Sequence, residues 1–359
     1  MSLELKNVTK IVGVETHIHP TSLTFEAGDF NTLLGATNAG KSTLIRLLAG
    51  LEKPTSGQVI WAGQDVTGVS PQRRNISLVH QFFINYPHMT VYDNIASPLR
   101  VAKLPRSEMD HRVRETAELL QLEGLLARYP DELSGGQQQR TALARAIAKQ
   151  SKAIFLDEPL ANLDYKLREE LREQLPTILE KRGTVIVYAT TEPTEALLLG
   201  GFTALMHEGK VTQFGRTSKL YHSPASLTAA RVFSDPPINY AHVMKEGNLF
   251  RLDDINWAAD GSASSLSDGQ YIVAIRPHHI APYQTKPSCV RLEGQVQITE
   301  LSGSESIAHF AVGKHSWVSL APRTHQYLVG ERHNFFFDPE QCFFFNAASG
   351  VAVEESNHG

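Results

Sequence analysis

Gly35-Ala36-Thr37-Asn38-Ala39-Gly40-Lys41-Ser42-Thr43 lies between an apolar run, Phe30 to Leu34, and a helical pattern of apolar residues at Leu44, Ile45, Leu47 and Leu48. The order is strand, glycine-rich loop, helix. It matters because the spacing G-x-x-x-x-G-K-[ST] cradles a polyphosphate only where successive backbone N–H groups and the positive end of a helix converge on it. Gly35 and Gly40 supply backbone freedom, Ala36, Thr37, Asn38, Ala39 and Thr43 complete the cradle, and Lys41 reaches the β- and γ-phosphates. Ser42 is the expected Mg²⁺ ligand. A chance match in a loop is the alternative, and the flanking strand and helix argue against it.

At 359 residues the chain exceeds what one core usually serves, so two or three units are expected. The net charge of −4 and pI near 6.4 give no basic footprint, and no nucleic-acid partner is expected. The presence of only Cys289 and Cys342 argues against a disulfide framework and suits a reducing compartment. Met1-Ser2-Leu3-Glu4-Leu5-Lys6 lacks the pattern of an export signal, and no uncharged run reaches the roughly 18 apolar residues that a membrane span needs. Any membrane role is expected to come through a partner.

Along the chain, Leu3 to Val8 and Ser22 to Phe25 read as short strands separated by a polar stretch from Val14 to Pro20. Strands follow at Gln58 to Ala62 and at Ile76 to His80, the latter ending on Gln81. Residues 88–150 read as a helical insert, within which Leu133-Ser134-Gly135-Gly136-Gln137 opens a helix. Ser134 can donate its hydroxyl, Gly135 and Gly136 let a phosphate approach the backbone, and the helix dipole favours an anion. An ordinary Ser cap is the plainer reading of that segment taken alone. Next, Ala153-Ile154-Phe155-Leu156-Asp157-Glu158 reads as a buried strand ending in two carboxylates. Asp157 is placed to hold Mg²⁺ and Glu158 to polarise an attacking water.

This ordered set resembles the nucleotide-binding subunit of an ATP-binding-cassette transporter, over essentially the whole chain. The carriers are the phosphate loop, Gln81, the signature Leu133 to Gln137, Asp157-Glu158 and the loop Ala161-Asn162-Leu163-Asp164. The resemblance implies ATP and Mg²⁺ as cofactors, with Gln81 joining Ser42 and Asp157 at the metal. It further implies two subunits facing head to tail, so that Ser134, Gly135, Gly136, Gln137 and Asp164 serve the ATP of the partner. Permease subunits, contacted through Tyr86 to Val91, and indirectly a periplasmic binding protein would complete the assembly. The location implied is peripheral, on the cytoplasmic face of the bacterial inner membrane.

The fold expected is α/β: a P-loop cassette with a helical insert over residues 1–234, then a small all-β, OB-like regulatory or dimerisation domain over residues 235–359. Phe202 to His207 and Lys210 to Phe214 read as a terminal hairpin, and the boundary is set at the Asp235-Pro236-Pro237 break. Asp235 to Asn239 and Ile275 to Ile280 are similar to segments in the ATPases of bacterial importers for maltose, glycerol phosphate and similar polyols. His17-x-His19 and His278-His279 read as ordinary polar residues, since no cluster of ligand spacing accompanies them.

Two departures from the family pattern stand out. Thr191, in Thr190-Thr191-Glu192, occupies the position of a His that contacts the γ-phosphate in the family, and a Thr hydroxyl is shorter and cannot become a cation. Val12 occupies the position of the aromatic residue that stacks on adenine, with His17 or His19 as possible substitutes. Both changes fall on the side of this chain's own phosphate loop, and the signature and Asp164 are intact. The expectation is an asymmetric pair in which this subunit's own site hydrolyses poorly and a non-identical ATPase supplies the competent loop, in an importer of a sugar or polyol, glycerol-type foremost. The alternatives are a symmetric homodimeric importer ATPase for polyamine, iron or sulfate, and a soluble ABC protein outside transport.

Overall fold

The computed structural model describes residues 1–82, 84–161, 163–180 and 183–353. Its contacts divide the chain into two units, Met1–Thr217 and Ser218–Gly359.

The first unit is built on two sheets. In the four-stranded antiparallel sheet, β1 (Ser2–Val12) lies between β2 (Glu15–Glu26) and β4 (Ser56–Trp61), with β5 (Gln64–Asp65) at the edge. In the six-stranded sheet the order is β10 (Lys210–Arg216), β9 (Phe202–His207), β3 (Phe30–Leu34), β8 (Val185–Thr190), β7 (Ala153–Asp157) and β6 (Ile76–Val79). All neighbours in it are parallel except β9 and β10. β3, β7 and β8 are buried along their whole length, which is why they do not alternate polar with apolar residues; the buried Asn31 within β3 is satisfied by donating to the Glu26, Asp29 and Ile186 carbonyls.

The polar stretch from Val14 to Pro20 is mostly strand. Ile18 is fully buried in β2, and Leu23 and Phe25 continue its inward-facing set while Glu15 and Thr16 are exposed. The polar outward residues concealed the alternation. Pro20 is accommodated where the register with β1 shifts, between the pairs Val8–Thr21 and Lys10–Ile18. Likewise β9 and β10 are not a separate terminal hairpin, because β9 pairs with β3 inside the main sheet.

α1 (Lys41–Ala49) follows β3 and buries Leu44, Ile45, Leu47 and Leu48 against Leu33, Phe155, Val187 and Met206. Each such side chain contributes about 1.5–3 kcal/mol, so the start of α1 is firmly placed. The insert consists of α2 (Val91–Val101), α3 (Arg106–Leu119) and α4 (Gly135–Ala148). Its core of Ile95, Leu99, Val113, Leu143 and Ile147 is continuous with Val79 and Leu156 of the sheet. α5 (Tyr165–Glu180) and α6 (Pro193–Leu199) flank β8 in sequence.

Two short helices lead into the second unit, Thr217–His222, which starts on the last residue of the first, and Leu227–Val232. Ala230 and Leu227 pack with Ile238, Ile272 and Phe345, which draws this segment, ahead of the Asp235-Pro236-Pro237 break, into the second unit. The remainder is two five-stranded antiparallel sheets. One runs Ile255–Ala258, Leu249–Leu252, Asn239–Glu246, Gly269–Ile275, Phe343–Asn346; the other runs Ile280–Ala281, Arg332–Phe337, Val290–Leu301, Glu305–Val312, His315–Pro322. An aromatic core including Phe250, Trp257, Phe310, Trp317, Phe335 and Phe337 fills the unit. The fold class is thus an α/β cassette followed by an all-β unit.

Candidate functional site

The loop between β3 and α1 is shaped by close contact. A Cβ at Gly35 would stand 2.4 Å from the Met206 carbonyl oxygen, and Gly40, which caps α1, has φ 99° and ψ 4°. Neither position accepts a side chain without strain, so the glycines answer to geometry before any ligand is considered.

Lys41 is 4% exposed. Its Nζ donates to the carbonyls of Gly35 (2.8 Å) and Ala36 (3.1 Å) and lies 3.4 Å from Glu158 Oε1. Burial pushes its pKa down, and the Glu158 carboxylate opposes that shift. An ammonium so poorly hydrated gains strongly from an anion placed beside it.

The carboxyl ends of three neighbouring strands meet this loop, the usual place for a ligand in an open parallel sheet. β7 ends on Asp157, with Glu158 next; β6 is followed by His80 and Gln81; β8 is followed by Thr191. Ser42 Oγ donates to Asp157 Oδ1 at 3.1 Å, and Gln81 Nε2 donates to Glu158 Oε2 at 3.1 Å. Burial raises the pKa of Asp157, against the opposing effect of the Ser42 hydrogen bond. Burial also lowers that of His80, which Asp157 partly offsets. Glu158 has φ 47°, a conformation that costs a non-glycine residue energy, and its N–H donates to the Ala189 carbonyl at 3.0 Å. That bond holds the carboxylate at the cleft.

Ser42, Asp157, Gln81 and Glu158 form an all-oxygen set around the loop, the chemistry Mg²⁺ prefers. Among the described residues no group of three or more His, Cys, Asp or Glu could hold a metal ion unaided. The fit is therefore to an ion that arrives with phosphate oxygens, as Mg²⁺ commonly does.

A cleft of about 720 Å³ contains the loop residues Thr37, Asn38 and Gly40 to Thr43, together with Gln81 and Glu158. Its remaining wall is Glu15, Thr16 and His17 of β2 with Glu208 and Gly209 of the β9–β10 turn. The sequence singled out Val12, yet Val12 is 48% exposed, pairs with Glu15 beside the hairpin turn and does not line the cleft. His17 does. The signal that would have located this wall is the inward Ile18, which turns His17 to the opposite face of β2.

Thr191 is exposed just beyond β8. Its neighbours are tied down. Thr190 Oγ1 and Tyr188 Oη both donate to the buried Glu195, and Glu192 pairs with Arg168 (3.2 Å) and Arg172 of α5. Asp164 caps the start of that helix, accepting from the Leu167 N–H at 3.1 Å, and its charge acts on Arg140 of α4. Asn162, in the same loop, lies outside the described residues.

The signature sits apart from the cleft lining. Ser134 caps α4 in a reciprocal box, its Oγ accepting from the Gln137 N–H (3.4 Å) and its own N–H donating to Gln137 Oε1 (3.0 Å). Ser134 and Gly135 are exposed, Gly136 and Gln137 half-buried, and nothing lies within 4 Å of a Cβ built at Gly135. Such an open helix start can receive an anion from outside the chain. The segment after Gln81 is fastened to the insert: Asn94, fully buried, donates to the carbonyls of Tyr86 and Met89, and Arg145 lies over the Tyr86 ring. Phe82, Ile84 and Tyr86 remain exposed.

Comparison with known proteins agrees with this fold. The profile of the family described as ABC transporter matches residues 18–161, and that of the TOBE domain matches residues 273–345. The chain is 37% identical over 371 residues to the trehalose/maltose import ATP-binding protein MalK of Thermococcus litoralis, covering 98% of this chain and 99% of the relative. It is 34% identical over 356 residues to the sn-glycerol-3-phosphate import ATP-binding protein UgpC of Yersinia pestis, again with 98% and 99% covered. Among solved structures, the post-hydrolysis dimer of the ATP-binding cassette MJ0796 bound to ADP and Pi matches with 29% identity and a TM-score of 0.55, over 60% of this chain and 98% of that one. Among the described residues no helix is long and apolar enough to cross a membrane.

Proposed function

The chain belongs to the ATP-binding proteins of ABC transporters, and we propose that it is the nucleotide-binding subunit of an importer for a carbohydrate or a glycerol derivative. Its reaction is ATP hydrolysis. The observation that carries the site assignment is the convergence of Lys41, Ser42–Asp157 and Gln81–Glu158 on one cleft, with a second anion-receptive helix start opening outward at Ser134. Lys41 holds the β- and γ-phosphates, Ser42, Asp157 and Gln81 hold Mg²⁺, and Glu158 takes the proton of the attacking water. Ser134, Gly135, Gly136 and Gln137, with Asp164, complete the site of a facing subunit. The printed names of the relatives support a sugar or glycerol-type substrate. The exposed Phe82, Ile84 and Tyr86, on a segment braced by Asn94, suit contact with a permease at the cytoplasmic face of the membrane.

Within this reading the two ATP sites differ. Thr191 offers no imidazole to the γ-phosphate, so the chain's own site is slow, and a non-identical ATPase supplies the fast one. One observation favours a symmetric pair instead: the metal and base groups of this chain's own site are all assembled. Co-expression with the neighbouring transporter genes separates the two. Recovery of a complex containing this chain and a second, different ATPase, with far greater loss of turnover when Glu→Gln is made in the partner than for Glu158→Gln, is the expected result. A complex holding two copies of this chain at full activity would overturn the asymmetric reading.

A further inference from the structure

We propose that Arg168 is a positioning residue that fastens the Asp164 loop to the loop carrying Thr191, and so links this chain's own ATP site to that of the facing subunit. The inference rests on the reading above, in which Asp164 serves the facing subunit's ATP and Thr191 lies toward this chain's own γ-phosphate. In sequence the two loops are well separated, one ahead of α5 and the other beyond β8.

The guanidinium of Arg168 divides its donors between them. Nη2 folds back over the loop that opens its own helix and donates to the carbonyls of Ala161 (3.1 Å) and Leu163 (3.3 Å), while Nη1 donates to Glu192 Oε1 at 3.2 Å. Glu192 is the residue next to Thr191. Both ends of this bridge are set in firm frames. On the Asp164 side, the Arg168 N–H donates to the Asp164 carbonyl (3.0 Å) and the Leu167 N–H to its carboxylate, so the loop belongs to the first turn of α5. On the Thr191 side, the second oxygen of Glu192 is taken by Arg172, which also donates to Glu195; that buried carboxylate accepts from the hydroxyls of Tyr188 and Thr190 in β8. The Glu192 N–H donates to Thr190 Oγ1 at 3.0 Å as well. A movement of the Thr191 loop on loss of the γ-phosphate therefore has a direct bonded route to the residue offered to the facing ATP. The route needs an arginine. A planar fork can hold two carbonyls and a carboxylate together, whereas a lysine ammonium is a point charge that cannot span them. A partly exposed ion pair adds little to folding, so the link can be cut without loss of the chain.

The test uses the assembled transporter with this chain carrying Glu158→Gln, so that the turnover measured is that of the facing subunit, whether a different ATPase or a separately tagged second copy. Arg168→Ala is expected to slow that facing site roughly three- to tenfold, and Glu192→Ala to do the same although Glu192 lies beside this chain's own site. The combined variant should be no slower than the slower of the two, because both changes cut one link. Arg168→Lys should behave as Arg168→Ala. Mg-ATP affinity and the unfolding midpoint of the single chain should match the parent's in each, which separates the link from a fault in folding. The proposal is overturned if Glu192→Ala leaves the facing site at full speed, if the two effects multiply in the combined variant, or if Arg168→Lys keeps full turnover. Asp164→Ala locates the failure. Full facing-site turnover in that variant would overturn the assignment of the Asp164 loop itself, whereas slow turnover there with a fast Glu192→Ala would overturn only the link.

Discussion

Gly135→Ala and Ser134→Ala separate the catalytic role of the signature from its role in folding, because the structure gives them opposite effects on stability. A Cβ at Gly135 meets nothing within 4 Å, and Gly135 is the first residue of α4. Replacing glycine there removes backbone freedom from the unfolded chain, so the fold is expected to gain up to about 0.5–1 kcal/mol. Ser134→Ala deletes a cap whose Oγ···N distance of 3.4 Å is long and exposed, which puts the loss near the lower end of the range, about 0.5 kcal/mol. Both substitutions disturb the same anion-receptive helix start. Loss of one transition-state donor typically costs roughly a hundredfold in turnover, or about 2.7 kcal/mol of barrier. Denaturant unfolding of the single chain and ATP turnover of the assembled transporter are the paired measurements. Turnover should collapse in both variants while stability moves up in one and down in the other. Turnover that follows stability, falling for Ser134→Ala and holding for Gly135→Ala, would show that the segment only caps a helix.

Thr191→His is expected to raise turnover in this chain's own site, as the position is exposed and has room for an imidazole; a partner carrying a disabled Glu isolates that site, and unchanged turnover there would mean Thr191 is not what limits it. Asp157→Asn should abolish the Mg²⁺-dependent part of ATP affinity while leaving the fold intact, since Asp157 is bonded to Ser42 and its ionised form is already penalised by burial; Mg²⁺-dependent affinity equal to the parent's would refute its metal role. In the second unit, Tyr327 is 7% exposed with its hydroxyl unpartnered, and burial pushes its pKa up to about 12. Its folded pKa exceeds the ordinary value near 10, so the stabilisation it gives is complete below about pH 10 and is lost as pH rises toward 12. Tyr327→Phe should hold or raise stability at neutral pH and lessen that alkaline loss, as read by denaturant unfolding at several pH values; an undiminished alkaline loss would contradict it.

What the sequence disclosed was what is local. The phosphate loop, the capped signature helix and the Asp157-Glu158 strand end each need only neighbours in the chain, so residue type and spacing reveal them. The Gln81–Glu158 and Ser42–Asp157 bonds join residues far apart in sequence and exist because β6 lies beside β7 and α1 follows β3. Their members were legible one at a time, but their partnership depends on strand order. The β2 wall of the cleft was lost for a different reason: with the strand expected from Ser22 to Phe25, the register that separates Ile18 from His17 could not be applied. Strand Asn239–Glu246 is hard to read in the sequence because its inward set, Asn239, Ala241, Val243 and Lys245, begins and ends on polar residues; Lys245 is 3% exposed with its ammonium donating to the Gly247 carbonyl. The same distinction between local and assembled features bears on Thr191. Thr190 is bonded to buried Glu195, and Glu192 is held by Arg168 and Arg172, so the backbone on both sides of the position is anchored without any contribution from the residue between them. In such a frame a change of side chain at Thr191 leaves the loop standing. That is why the asymmetric pairing proposed above needs only this one position to differ, with the nucleotide cleft and the signature helix start unaltered.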